Sequence, residues 1–167
     1  MALRNVLRAA AIAGAMALAA CSTQGSAGEA AATASAEPSV HPVSGLRVIP
    51  LTVTTSSGQR HEFRVEVAAT GAEQQRGLMF RTAMGADEGM IFPLERVRMA
   101  SFWMHNTVIP LDIIFIGPDN KVINISANAV PYSEDSRPST APAAAVLELN
   151  GGRAAELGIG PGATVEW

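Results

Sequence analysis

Trp103, Asn106 and Asp112 crowd one short stretch of the chain and offer groups that can hold a small polar ligand. The indole supplies a flat apolar face with one N–H donor, the amide a donor and an acceptor, and the carboxylate two acceptors. Such faces beside amides and carboxylates suit a sugar or another small hydroxylated molecule. Thr107 adds a hydroxyl, and Pro110 stiffens the turn. Arg76 and Arg81 flank Gly77-Leu78-Met79. A guanidinium there can bind a ligand carboxylate or phosphate, or pair internally with Asp112 or Glu148. Glu148 stands between Leu147 and Leu149, so strand alternation turns it away from both, toward solvent or into a cleft. Arg81, Trp103, Asn106, Asp112 and Glu148 are therefore the candidate ligand-binding residues. The competing expectation is structural: Asp and Asn side chains routinely bond turn backbone, and a Trp is often core.

Catalytic constellations are weaker. Asp112 and Glu148 would serve as a glycosidase pair only at separations of about 5 Å or about 7 to 9 Å. His105 and Asp112 have no serine in a nucleophile-elbow pattern to complete a triad. Met79, Met84, Met90, Met99 and Met104 suggest soft-metal binding, but methionines in alternating apolar strands usually pack. His41, His61 and His105 lack ligand spacing, and the single cysteine excludes a disulfide framework or a multi-Cys metal site. No catalytic residue, metal or cofactor is assigned.

The elements that must position these residues read mainly as short strands. Ile49, Leu51 and Val53 alternate with polar or turn residues, as do Phe63, Val65 and Val67, with Ser56-Ser57-Gly58-Gln59 between them. This predicts a β-hairpin with one wet face. Thr70-x-x-Glu73 matches a capping box and predicts a helix over 71–80. Strands are expected at Gly89–Phe92, Arg98–His105, Leu111–Ile116, Val122–Ala127, Val146–Leu149 and Thr164–Trp167. Leu111, Ile113 and Phe115 face one side and Ile114 and Ile116 the other, the pattern of a strand covered on both faces. Pro131–Pro142 reads as an irregular loop, and Gly151–Leu157 as a short helix stopped by Gly158. The expected fold is mainly β: a compact small sandwich or partly closed barrel of about eight short strands with two short helices.

The N-terminus reads as an address. Arg4 and Arg8 precede an uncharged run from Ala9 to Ala20, about 18 Å long as a helix and too short to span a membrane. It ends in Leu18-Ala19-Ala20-Cys21, which resembles the lipobox of bacterial lipoproteins. The organisation expected is a signal peptide over 1–20, a lipidated Cys21 with a flexible tether over 21–45, and one domain over 46–167. The tether's Ala, Ser and Pro content gives a reach of about 25 to 30 Å, and His41 within it is expected to be solvated. The protein is then exported and membrane-attached through Cys21 on the periplasmic side of the envelope. Ser22 favours the outer membrane in a Gram-negative host. With 12 basic and 15 acidic residues the formal charge is −3, which gives no general attraction for nucleic acid. The domain is expected to be monomeric.

Four segments carry a family resemblance: Gln75-Arg76-Gly77-Leu78-Met79-Phe80-Arg81, Gly89-Met90-Ile91-Phe92, Phe102-Trp103-Met104-His105-Asn106-Thr107-x-x-Pro110-Leu111-Asp112, and Val146-Leu147-Glu148-Leu149-x-Gly151-Gly152. Together they resemble the domain of unknown function family 192 over about residues 48 to 166. The resemblance implies a single small, mainly β domain, often exported, with no established reaction. The chain departs from the family in having His105 where Lys is usual and Gly162-Ala163 where Gly-Asp is usual. The functional expectation is a non-catalytic envelope module that binds a small polar ligand, glycan or partner protein. The alternative is a small envelope hydrolase using Asp112 or Glu148. A second acid or base beside Asp112 in an open cleft would favour the hydrolase, and a sealed, fully paired Asp112 the binding module.

Overall fold

The hairpin predicted from alternation forms the first large unit of the computed structural model, which describes residues 39–167. Strand β2 (Arg47–Thr54) pairs antiparallel with β3 (Arg60–Val67), with Leu51 opposite Phe63 and Ile49 opposite Val65. Apolar side chains thus meet across the pair on one face, the contact that stabilises a sheet. Helix α1 (Gly71–Arg76) follows, with the capping box formed: Glu73 N–H donates to Thr70 Oγ1 at 3.3 Å, and Thr70 N–H donates to Glu73 Oε2 at 2.7 Å. The helix stops at Arg76, short of the expected Phe80. Gly77 leaves the helical region at φ 45°, and Phe80 takes φ 62°, so turns replace the last helical stretch.

Strand β4 (Glu88–Arg98) returns parallel to β3, an arrangement that needs a crossover, which the α1 segment supplies. A two-residue strand β5 (Ser101–Phe102), β6 (Leu111–Ile116) and β7 (Val122–Ala129) come next. Then follow β8 (Arg137–Pro138), β9 (Ala143–Asn150), helix α2 (Arg153–Glu156) and β10 (Thr164–Glu166). The expected strand over 98–105 is split by this arrangement: its first residue ends β4, and only Ser101–Phe102 pairs again, with β8. That pairing also puts a short strand into the loop read over 131–142.

The main sheet begins with a short strand β1 (Ser39–Val40) and runs β1-β2-β3-β4-β9-β6-β7, with β10 beside β2. A single bridge between Lys121 and Thr164 links the end strands without a ladder, so the sheet wraps but does not close into a barrel. The fold is mainly β and sandwich-like. Leu51, Val53, Phe63, Ile91, Ile114 and Leu147 fill the core on one face of the sheet. Met90, Phe92, Ile113, Phe115 and Val146 form a second core on the other, beneath Leu78 and Met104. Each large side chain buried this way contributes about 1.5 to 3 kcal/mol. The two-faced strand predicted for 111–116 lies between these cores.

The fold begins ahead of the expected domain boundary. Strand β1 (Ser39–Val40) pairs with Val48 and Arg47 of β2, so residues 39–44 belong to the folded unit and not to the tether. His41, expected to be solvated, is packed: its side chain is 17% exposed and its Nε2 lies 3.7 Å from Glu66 Oε1. A two-residue strand is too short to show alternation, so nothing in the local pattern announces it. The signal peptide and Cys21 lie outside the described residues. Among those residues no helix is long and apolar enough to cross a membrane.

Candidate functional site

The five candidate residues do not form one cluster. Asp112 is wholly buried on β6, and its carboxylate is taken up by backbone. Its Oδ1 accepts from the N–H groups of Asn128 (2.8 Å) and Gly152 (3.0 Å), and its Oδ2 accepts from Ala154 N–H (2.8 Å). The local sequence makes this possible. Gly152 takes φ 86°, which an L side chain resists, and a Cβ on Gly151 would sit 2.9 Å from the Pro110 side chain. Asp112 therefore ties β7 and the start of α2 to β6, and does not line a cleft with Trp103. Arg81, expected beside Asp112, instead pairs with Glu66: its Nη2 lies 2.8 Å from Glu66 Oε1. Ser44 Oγ donates to the same carboxylate, and Arg81 Nη1 lies 3.3 Å from His41 Nε2. This buried group fastens the 39–44 segment to the domain. Asn106 shapes a turn of the backbone: it takes φ 52°, and its carbonyl accepts from Phe80 N–H at 2.9 Å.

Trp103 and Glu148 do come together, on the wall of an open cavity of about 200 Å³. Glu148 projects from β9 onto the second core face, where its register neighbours are Met90 on β4 and Ile113 on β6. It is 4% exposed, its remaining surface opens on the cavity, and no hydrogen bond or ion pair to another described residue reaches its carboxyl. Burial pushes its pKa up to about 8, which favours the protonated, neutral acid at pH 7. Trp103 is 53% exposed, because Phe102 and Met104 on either side of it turn inward. Phe102 fixes this segment edge-on against Phe92 (5.1 Å between ring centroids) and Phe115 (6.2 Å). The indole stacks on His105 at 5.0 Å, and His105 Nδ1 lies 2.6 Å from Glu134 Oε1.

Arg76 at the end of α1 and Arg98 at the end of β4 line the same cavity, with Gln75, Ser101 and Thr107. Neither arginine is in an ion pair among the described residues. Sequence reasoning named Arg76 beside Arg81 but did not separate their roles, and it missed Arg98, whose partners across the cavity are remote in sequence. A second cavity of about 450 Å³, more apolar, lies on the far side of Arg76 and is lined by Val43, Met79 and Phe80. No buried acid lines it, whereas the smaller cavity is lined by the buried Glu148, which is why the smaller cavity is the candidate site. Among the described residues no group of three or more His, Cys, Asp or Glu is placed to hold a metal ion.

The model of the family described as Uncharacterized ACR (DUF192) matches residues 52–167. The chain belongs to this family. Within the family's span, the four resembling segments meet around the cavity and its floor. Residues 75–78 with Phe102, Trp103, His105 and Thr107 supply the walls, 89–92 the neighbouring strand, and 146–149 the strand that carries Glu148. A Novosphingobium aromaticivorans protein of unknown function is similar in structure, with 63% identity, a TM-score of 0.77, and coverage of 79% of this chain and 94% of its own. A Sinorhizobium meliloti protein, described as a candidate transcription regulator, is 41% identical with a TM-score of 0.69, covering 70% of this chain and 91% of its own. No curated protein matches.

Proposed function

We propose that the protein is a non-catalytic, lipid-attached envelope module that binds a small polar ligand in the cavity between Trp103 and Glu148. The observation that carries this reading is the buried residue Glu148, with no hydrogen bond or ion pair to another described residue, opening on a cavity beside an exposed indole. A buried polar group without a partner costs roughly 1 to 3 kcal/mol. Such a cost is retained where an incoming molecule supplies the missing hydrogen bond. Trp103 offers the stacking face and Gln75, Ser101 and Thr107 offer further polar contacts. The hydrolase alternative loses Asp112, whose carboxylate is sealed behind three backbone N–H groups. It leaves Glu148 with no second carboxylate on the cavity wall. The envelope setting rests on Leu18-Ala19-Ala20-Cys21 and the charged start before it.

Two experiments test the reading. The full chain is heated with a panel of envelope glycans and metabolites, since a ligand that binds the native state raises its melting temperature. A shift of several degrees that disappears in Trp103→Ala supports the cavity, and shifts equal in both proteins overturn it. For the setting, Cys21→Ala is expected to leave the membrane fraction and lose lipid-dependent mobility on a gel. Unchanged fractionation and processing would show the lipoprotein reading to be wrong.

A further inference from the structure

Resting on the proposal that this cavity is a binding site, the geometry points to its ligand class: a small hydroxylated acid of about one ring, held by its carboxylate or phosphate between Arg76 and Arg98. Three observations carry this. Size comes first. About 200 Å³ is below the roughly 300 to 1,000 Å³ of sites for drug-sized ligands, so the cavity takes one ring or a short chain and not an oligosaccharide. Charge comes second. Two exposed arginines line the cavity with no acid paired to either among the described residues, Arg76 from α1 and Arg98 from β4, the latter with its Nη1 donating to the Met99 carbonyl at 3.2 Å. The third charged-capable wall residue, His105, is already matched by Glu134 outside the cavity lining. Guanidinium forks favour planar, bidentate recognition of carboxylate and phosphate, and they repel an ammonium.

The third observation is the direction of the hydrogen bond at the floor. A Glu148 that keeps its proton donates, so it complements a hydroxyl or carbonyl oxygen of the ligand and adds no negative charge to oppose the acid end. The face of Trp103 is left for the apolar side of the ring. The other titratable groups on the cavity wall are Arg76, Arg98 and His105. As the pH rises through about 8, Glu148 ionises and places a second negative charge close to the bound acid. Affinity for an anionic ligand then falls.

The test uses one ring in four charge states on the full chain: glucuronate, glucose 6-phosphate, glucose and glucosamine, each measured by calorimetry and melting shift at pH 7. Glucuronate or glucose 6-phosphate is expected to bind about tenfold tighter than glucose, with glucosamine weakest. The two acids separate a carboxylate preference from a phosphate preference. The Arg76→Ala/Arg98→Ala double variant is expected to erase the advantage of the acids over glucose. Affinity for the acid is expected to drop between pH 7 and 9, and to stay flat over that range in Glu148→Gln. His105→Gln is expected to retain the drop. Glucose or glucosamine binding as well as the acids, or an acid preference that survives loss of both arginines, would overturn the anionic class. If the bound neutral sugar is still lost in Trp103→Ala, the cavity remains the binding site and only the ligand class fails. Silence toward all four rings also overturns the class, and the site itself is then judged on the wider panel.

Discussion

Asp112 on β6 lies opposite Leu149, and Glu148 on β9 lies opposite Ile113, so two buried acids sit one register step apart on neighbouring strands. Because side chains alternate, they face opposite sides of the sheet. Asp112 enters a region where β7 and the start of α2 bring three N–H groups to its two oxygens. Glu148 enters the second core, where Met90 and Ile113 lie beside it in register and the open side is the cavity. Glu66 supplies a third case, with its carboxylate matched by Arg81. An acid saturated by backbone or by a fixed cation is part of the framework. An acid with the same burial and no partner is where the framework gives up stability, and the neighbouring exposed indole marks the same place.

Breaking the Asp112 side should have the largest effect. Asp112→Ala leaves three donors without an acceptor, and is expected to cost about 4 kcal/mol in denaturant unfolding. Loss of less than about 1 kcal/mol would mean that the three contacts do not hold β7 and α2. Arg81→Ala comes next: it leaves the buried Glu66 with only Ser44 and His41 beside it, and losing the fixed cation of a buried pair costs about 3 kcal/mol. The same variant should loosen residues 39–44, seen as faster amide exchange there. Rapid exchange in those residues of the unmodified protein would remove that contrast.

Glu148 should behave with the opposite sign. At pH below its ordinary value of 4.5 the folded and unfolded chains both hold the proton, and burial of the neutral acid adds no pH-dependent cost. Between there and about 8 only the unfolded chain releases it, so stability declines as pH rises and levels off above 8. Glu148→Gln removes this decline and is expected to stabilise the protein by about 1 to 2 kcal/mol at pH 8, part of the gain being offset by the buried amide. A variant whose stability tracks the parent from pH 5 to 8 would show that Glu148 is partnered. The smallest effect is expected at Trp103→Ala, within about 0.5 kcal/mol of the parent because the indole is half exposed. A large destabilisation there would move Trp103 from the site into the framework.

Local chemistry was legible wherever neighbours in sequence are neighbours in space. The hairpin over 47–67, the Thr70–Glu73 capping box and the two-faced strand at 111–116 follow from periods of two and from side chains reaching three residues along the chain. The chemistry of the candidate site was partly legible: Trp103 and Glu148 were named and do share a cavity, while Arg98 was not. The end of α1 was misplaced because Gly77 and Phe80 adopt positive φ, a conformation imposed in part by the bond from Phe80 N–H to Asn106.

The amino-acid sequence by itself determined the mainly β character, the family and the set of groups available for chemistry, because periodicity and motif spacing are properties of the chain. What it left open was the pairing of those groups. Whether an acid is framework or site depends on which strand lies beside it and which face it takes. That was decided only when β9 inserted between β4 and β6, and when residues 39–44 folded back onto Glu66. These contacts join residues far apart in the chain, so no local pattern contains them. The same carboxyl chemistry therefore becomes a backbone clasp at Asp112, an ion pair at Glu66 and an unpartnered acid at Glu148, according to what the tertiary fold brings within about 3 Å of each.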